Sequence, residues 1–188
     1  MKKTIMPTAI LLVATTVAVI GSRVLEINPP TINIVGAYGS VLGIFFLGNL
    51  CKLPYWFYCI ALAFDFFATS VGSVLNVYRT WAPYDLIVHY MSGILLAALG
   101  MMLVEYLLTR CGVRDEQRAE LDVIIILFAL FFSAAGAGLW EIYEFTMDSI
   151  TGGNMQGDNS NTMGDLVSGF AGAVTFALWM LGKRKNNR

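Results

Sequence analysis

The sequence predicts an all-α fold, a polytopic bundle of six transmembrane helices forming one domain over residues 1–188. Three observations carry that expectation. First, 57% of the 188 residues are hydrophobic and only 13% are charged, against about 45–50% apolar and about 25% charged in an ordinary soluble domain. So few charges cannot cover a water-facing globule of this size. Second, the charges are spaced so that runs of roughly 20 residues, the length that crosses a bilayer as a helix, are almost free of them. Third, Lys and Arg alternate between the segments that join these runs. A net charge of −1 and three Cys exclude a nucleic-acid binder and a disulfide scaffold, and the apolar content excludes a disordered chain.

The spans follow in order. The first is residues 4–22, behind Lys2 and Lys3. A basic start and an apolar run also describe a signal peptide, with Val19-Ile20-Gly21 as a passable cleavage site. The run exceeds a usual signal core, so a retained helix is expected. The second, 31–50, opens after the breaker Asn28-Pro29-Pro30. The third, 53–77, carries one charge, Asp65. The fourth, 86–108, has His89 near its start and Glu105 near its end. The fifth, 123–145, continues helically towards Asp148. The sixth is 164–182. No internal repeat and no low-complexity tract interrupts them.

Orientation follows from the basic residues. With the N-terminus inside, the inner segments hold Lys2, Lys3, Lys52, Arg110, Arg114, Arg118, Lys183, Arg184, Lys185 and Arg188, and the outer ones only Arg23 and Arg79. The positive-inside rule then makes both termini cytoplasmic in a cytoplasmic (inner) membrane. The polar stretch Ser149 to Met163 falls outside. Cys51 and Cys111 face the reducing side and Cys59 sits in a span as a small hydrophobe, so no metal or redox role is assigned to them.

Small residues mark packing faces: Gly36, Gly39 and Gly43 in the second span, Gly93, Ala97 and Gly100 in the fourth, Ala134 to Gly138 in the fifth, and Gly164, Ser168 and Gly172 in the sixth. In lipid they let helix backbones approach. Packing within the bundle is the plain reading, and a homodimer through one such face is the rival. The expected partners are the bilayer and that second copy, not nucleic acid.

The ionisable residues gather on one side. Asp65 lies about 18 Å into a core about 30 Å thick, just past the midplane. Asp85 is at the outer mouth of the fourth span with His89 one turn deeper, an i,i+4 pair on one face. Glu141, Glu144 and Asp148 follow as i, i+3 and i+7, again one face. Asp165 opens the sixth span, where a carboxylate suits the helix dipole. Glu105 is the only acid in an inner half and is expected to reach water or Arg110. Converging carboxylates repel one another, and a divalent cation relieves this; several carboxylates with one imidazole suit Mg²⁺, Mn²⁺ or Ca²⁺, with Zn²⁺ also accommodated. A plainer reading stands beside it: Trp140 and Tyr143 form an interfacial aromatic belt, and the neighbouring acids are simply wet. His89 and Ser92 with Asp85 behind them recombine Ser, His and Asp types, but a triad strung along one helix has poor geometry. Gly152-Gly153 is turn chemistry.

The runs Tyr84 to Gly93, Trp140-Glu141-Ile142-Tyr143-Glu144-Phe145 with Asp148, and Asn154-Met155-Gln156 followed by Thr162-Met163-Gly164-Asp165-Leu166 resemble the YjdF-like family of bacterial inner-membrane proteins. The resemblance covers roughly Trp56 to Gly172. It implies several membrane helices, no assigned activity, and a single unit made of Asp85, His89, Glu141, Glu144 and Asp165. The family pattern has Asp where this chain has Asn161, and Asp158 or the Asn161 carbonyl would substitute.

Two classes of activity are therefore expected. One is an enzyme, a divalent-metal-dependent hydrolase or transferase acting from the outer face on a lipid-linked or envelope substrate. Its metal ligands would be Asp85, His89, Glu141, Glu144 and Asp165, with Glu141, Glu144 or His89 moving the proton. Asp65, Asp148, Asp158 and Asn161 are the additional candidates. The other class is a non-catalytic metal- or ligand-binding protein or sensor. A transporter is disfavoured, because a conduction path needs polar groups through the whole thickness and the inner halves show few: Cys59, Asn49, Thr175 and Glu105.

Overall fold

The structure, a computed structural model, describes residues 2–186; Arg188, counted above among the inner charges, lies outside them, and the side chain of Lys185 is not described. Helix α1 runs Lys2–Val24, α2 Thr31–Leu50, α3 Tyr55–Asp65, α4 Val77–Thr80, α5 Pro83–Arg110, α6 Asp115–Glu120, α7 Asp122–Thr151 and α8 Asn159–Asn186. A π-helical segment, Phe66–Val74, continues α3 directly. Among the described residues there is no strand. Six helices are long and apolar enough to cross a membrane, with α3 and the π segment together making the third.

The expected spans and the helices agree in number and order, and differ at their ends. The fourth, fifth and sixth extend beyond the apolar runs, so the outer polar stretch shrinks to residues 152–158. Two local bonds explain this. Gly152 closes α7 in the left-handed conformation at φ 67°, with its amide on the Asp148 carbonyl at 2.9 Å. Asp158 then starts α8, its carboxylate accepting the Asn161 amide at 2.9 Å, as an N-cap does. The third span was expected as a regular helix over 53–77. It begins only after Pro54 and gives way to π geometry after Asp65.

The chain divides into two compact units, residues 1–88 and 89–188, with the boundary inside α5. The first unit packs α1, α2, α3 and the π segment on one another. Its centre is Leu11, Val41, Tyr58 and Leu62. Its buried set is unusually polar, with Thr8, Thr15, Ser22, Asp65 and Ser70 all at or below 6% exposure. Large apolar side chains such as Val13, Val17, Leu47 and Phe67 face outwards, the arrangement that lipid as solvent selects.

The second unit packs α5, α7 and α8. Met101, Ile125, Ile126, Ala129 and Ala177 form its core. The backbones of α5 and α8 touch: a Cβ on Gly93 would overlap the Gly169 carbonyl, and one on Gly172 would overlap the Tyr90 carbonyl. The small-residue faces of the fourth and sixth spans are thus packing faces. Gly36, Gly39 and Gly43 of α2, by contrast, have nothing within 4 Å of a built Cβ.

Candidate metal centre

Glycine contact between α5 and α8 sets the site. Just past the touching backbones, towards the start of both helices, stand His89 and Asp165. His89 Nε2 lies 3.9 Å from Asp165 Oδ1, with the two side chains 10% and 1% exposed. Asp85 is one turn earlier on the same continuous helix as His89. One ligand atom each from Asp85, His89 and Asp165 lie within 4.8 Å of one another. Ligand atoms bound at about 2.0–2.6 Å to a common ion are at most about 5 Å apart. The spacing is close to what a single shared cation requires, and two carboxylates with one imidazole are a donor set for a divalent ion.

Helix α7 supplies the next carboxylates. Ser133 donates to the Gly93 carbonyl at 2.9 Å, which registers α7 against α5. Ala137 packs near Gly169. Glu141 and Glu144 follow on that same buried face, at 5% and 9% exposure. They stand at the same end of the second unit as His89 and Asp165. The group converging on one point is Asp85, His89 and Asp165, and Glu141 and Glu144 are outside it. Glu144 Oε1 accepts the Trp140 indole N–H at 2.8 Å, and Trp140 lies 5.2 Å from the Tyr143 ring. The aromatic pair and the buried acids therefore share one helix end: the rings sit on its outer face and the carboxylates on its inner one.

The additional candidates have separate local duties. Asp148 accepts the amides of Met155 and Gln156, at 2.7–2.9 Å, and so ties the loop to α7. Asp158 caps α8 through the Asn161 amide. Asp65 belongs to the first unit. Ser92 donates to the His89 carbonyl at 2.7 Å, a back-bond within the helix, so the Ser–His pairing does not form there. Glu105 is 44% exposed at its side chain, as expected of an interfacial acid, but its ionic partner is not Arg110. Arg184 of α8 bonds it at 3.3 Å and also bonds Asp122. Spacing along α5 could not show this, because Arg184 is brought in by α8.

The sequence reading missed polar groups in the first unit. Thr8 and the Tyr58 hydroxyl are 2.5 Å apart, Thr4 donates to Asn49 at 2.9 Å, and Thr15 and Ser70 are 3.0 Å apart. The available signal was Thr8, Thr15 and Ser22 at heptad spacing on α1, one face of an otherwise apolar helix.

No curated protein and no solved structure matches the chain. A family model described as predicted membrane protein (DUF2238) matches residues 5–186, nearly the whole length. This agrees with the YjdF-like resemblance and with six apolar helices. The chain belongs to the DUF2238 family of predicted membrane proteins.

Proposed function

We propose that this membrane protein binds one divalent cation through Asp85, His89 and Asp165, and that the bound cation serves hydrolysis or group transfer on a lipid-linked or envelope substrate. The observation that carries the reading is the convergence of the three ligand atoms within 4.8 Å. Burial adds to it: Asp165 at 1% exposure is not a wet surface acid, and buried carboxylates need a compensating charge or proton. With a metal present, its chemistry would be polarisation of a phosphoryl or carbonyl oxygen and activation of water. Glu141 and Glu144, at the same helix end, are the groups suited to move the proton. The distribution of Lys and Arg supports a site opening to the outer face of an inner membrane, with both termini cytoplasmic.

A second reading is a metal-binding sensor without chemistry. What favours it is that all of His89, Glu141, Glu144 and Asp165 are at or below 9% exposure, which leaves little access for a substrate. The two readings separate in one assay. Protein in liposomes is given a lipid-linked phosphoester, and release of the soluble headgroup is followed with and without Mn²⁺ or Mg²⁺. Metal-dependent release that is lost in Glu141→Gln supports the enzyme. Metal binding without turnover in any such substrate supports the sensor.

A further inference from the structure

Asp65 is the one acid set deep in the first unit. It is 6% exposed, and its Oδ2 has no hydrogen-bond partner. Its side-chain hydrogen bond is with the Ser40 hydroxyl of α2, which also lies 3.0 Å from the Ala37 carbonyl. Cys59 and Tyr58 are the titratable groups nearest along its own helix. The cations of the unit (Lys2, Lys3, Arg23, Lys52 and Arg79) and Glu26 are all exposed at helix ends or in connections. Tyr78 and Arg79 are on α4. No basic side chain on α1 to α4 is therefore placed to compensate a charge on Asp65.

The backbone around Asp65 is built for polar neighbours on one side only. Towards Tyr58, the apolar side chains of Leu11, Val41 and Leu62 close the interior. In the other direction the π segment begins. At 3.6 residues per turn, positions five apart point about 140° away from each other. An i→i+5 bonded turn stacks them instead. Ser70, five residues beyond Asp65, bonds Thr15 at 3.0 Å with both residues fully buried. Carbonyls along the segment are picked up by side chains, Phe67 by the Tyr84 hydroxyl at 2.7 Å and Ser73 by Asn33 at 3.3 Å. The wide turn is a stably bonded feature, of a kind that recurs at functional sites.

We propose that Asp65 is a proton-binding site in the membrane interior. The carboxyl takes one proton on Oδ2 and releases the same proton, so no other bond changes. The site is separate from the metal reading and stands if that reading fails.

Dicyclohexylcarbodiimide tests it, because this apolar reagent modifies carboxyls that carry a proton within a membrane. The purified full-length protein in liposomes is treated at neutral pH and its peptides are mapped by mass spectrometry. The expected result is an adduct on Asp65 that diminishes as alkaline pH strips the proton, is absent in Asp65→Asn, and is unchanged by chelator. Mapping the wild-type adduct gives the answer even if Asp65→Asn does not fold. An unmodified Asp65, or an adduct that depends on chelator, would overturn the proposal.

Discussion

Two carboxylates set against one imidazole, as Asp85 and Asp165 are around His89, repel each other unless a positive charge lies among them. That gives the first prediction. The parent protein is expected to be stabilised thermally by Mn²⁺ or Zn²⁺, and His89→Ala and Asp165→Asn to remove that stabilisation. The size follows from mass action: at a hundredfold excess over the dissociation constant a single site stabilises by about 2.7 kcal/mol. Without metal, Asp165→Asn is expected to leave stability equal to the parent or higher, because it relieves the repulsion. Thermal unfolding in detergent, with and without metal, reads both effects. Asp148→Ala should behave differently. Its loss frees the Met155 and Gln156 amides and is expected to increase proteolysis of residues 152–158 without altering the metal response.

At the level of helices, contact between α5 and α8 positions His89 against Asp165. Gly93→Val places a side chain against the Gly169 carbonyl, where backbone cannot yield as a flexible side chain can. Overpacking costs about 1–3 kcal/mol, and the upper end is expected here; the metal response should vanish with it. Gly43→Ala, with open space at its Cβ, is expected to leave a monomer's unfolding midpoint unchanged. Both are read from denaturation midpoints in the same detergent. The bridge from Arg184 to Glu105 and Asp122 is partly exposed, so Arg184→Ala is expected to cost no more than about 1 kcal/mol and less at high salt.

These elements also show how far the sequence could be read. Runs nearly free of charge marked every span, because charged side chains in the bilayer interior are costly. The i,i+4 pair Asp85 and His89 was legible, since both residues lie on one helix. That Asp165 joins them was expected from its level in the membrane and from the resemblance, and the structure supplies the glycine contact that makes it so. The π segment was not legible: nothing in Phe66 to Val74 departs from an apolar helix pattern, and its wide turn is stabilised by Tyr84 and Asn33 from elsewhere in the unit. The partner of Glu105 was hidden for the same reason, since it arrives on another helix.

Across the whole molecule, lipid as solvent turns the usual distribution of side chains around. The described surface carries Phe46, Phe131 and Trp179 at 59–65% exposure, while Asp65, His89, Glu141 and Asp165 are buried. Each buried ionisable group then has to be neutralised internally; the proposals assign a proton to Asp65 and a cation to Asp85, His89 and Asp165. Topology is the matching prediction. Reporter fusions at both termini are expected to be active only in the cytoplasm, and a fusion within residues 152–158 only outside; a reversed pattern would place the acidic end on the inner face.

Metal content tests the central claim most directly. The protein is purified without chelator and dialysed against a mixture of Mg²⁺, Mn²⁺, Ca²⁺ and Zn²⁺. Bound metal is then measured by inductively coupled plasma mass spectrometry for the parent, His89→Ala and Asp165→Asn. The account predicts one divalent ion per chain in the parent and loss of that ion in both variants. A parent without bound divalent metal, or variants that keep it at the parent's level, would contradict it.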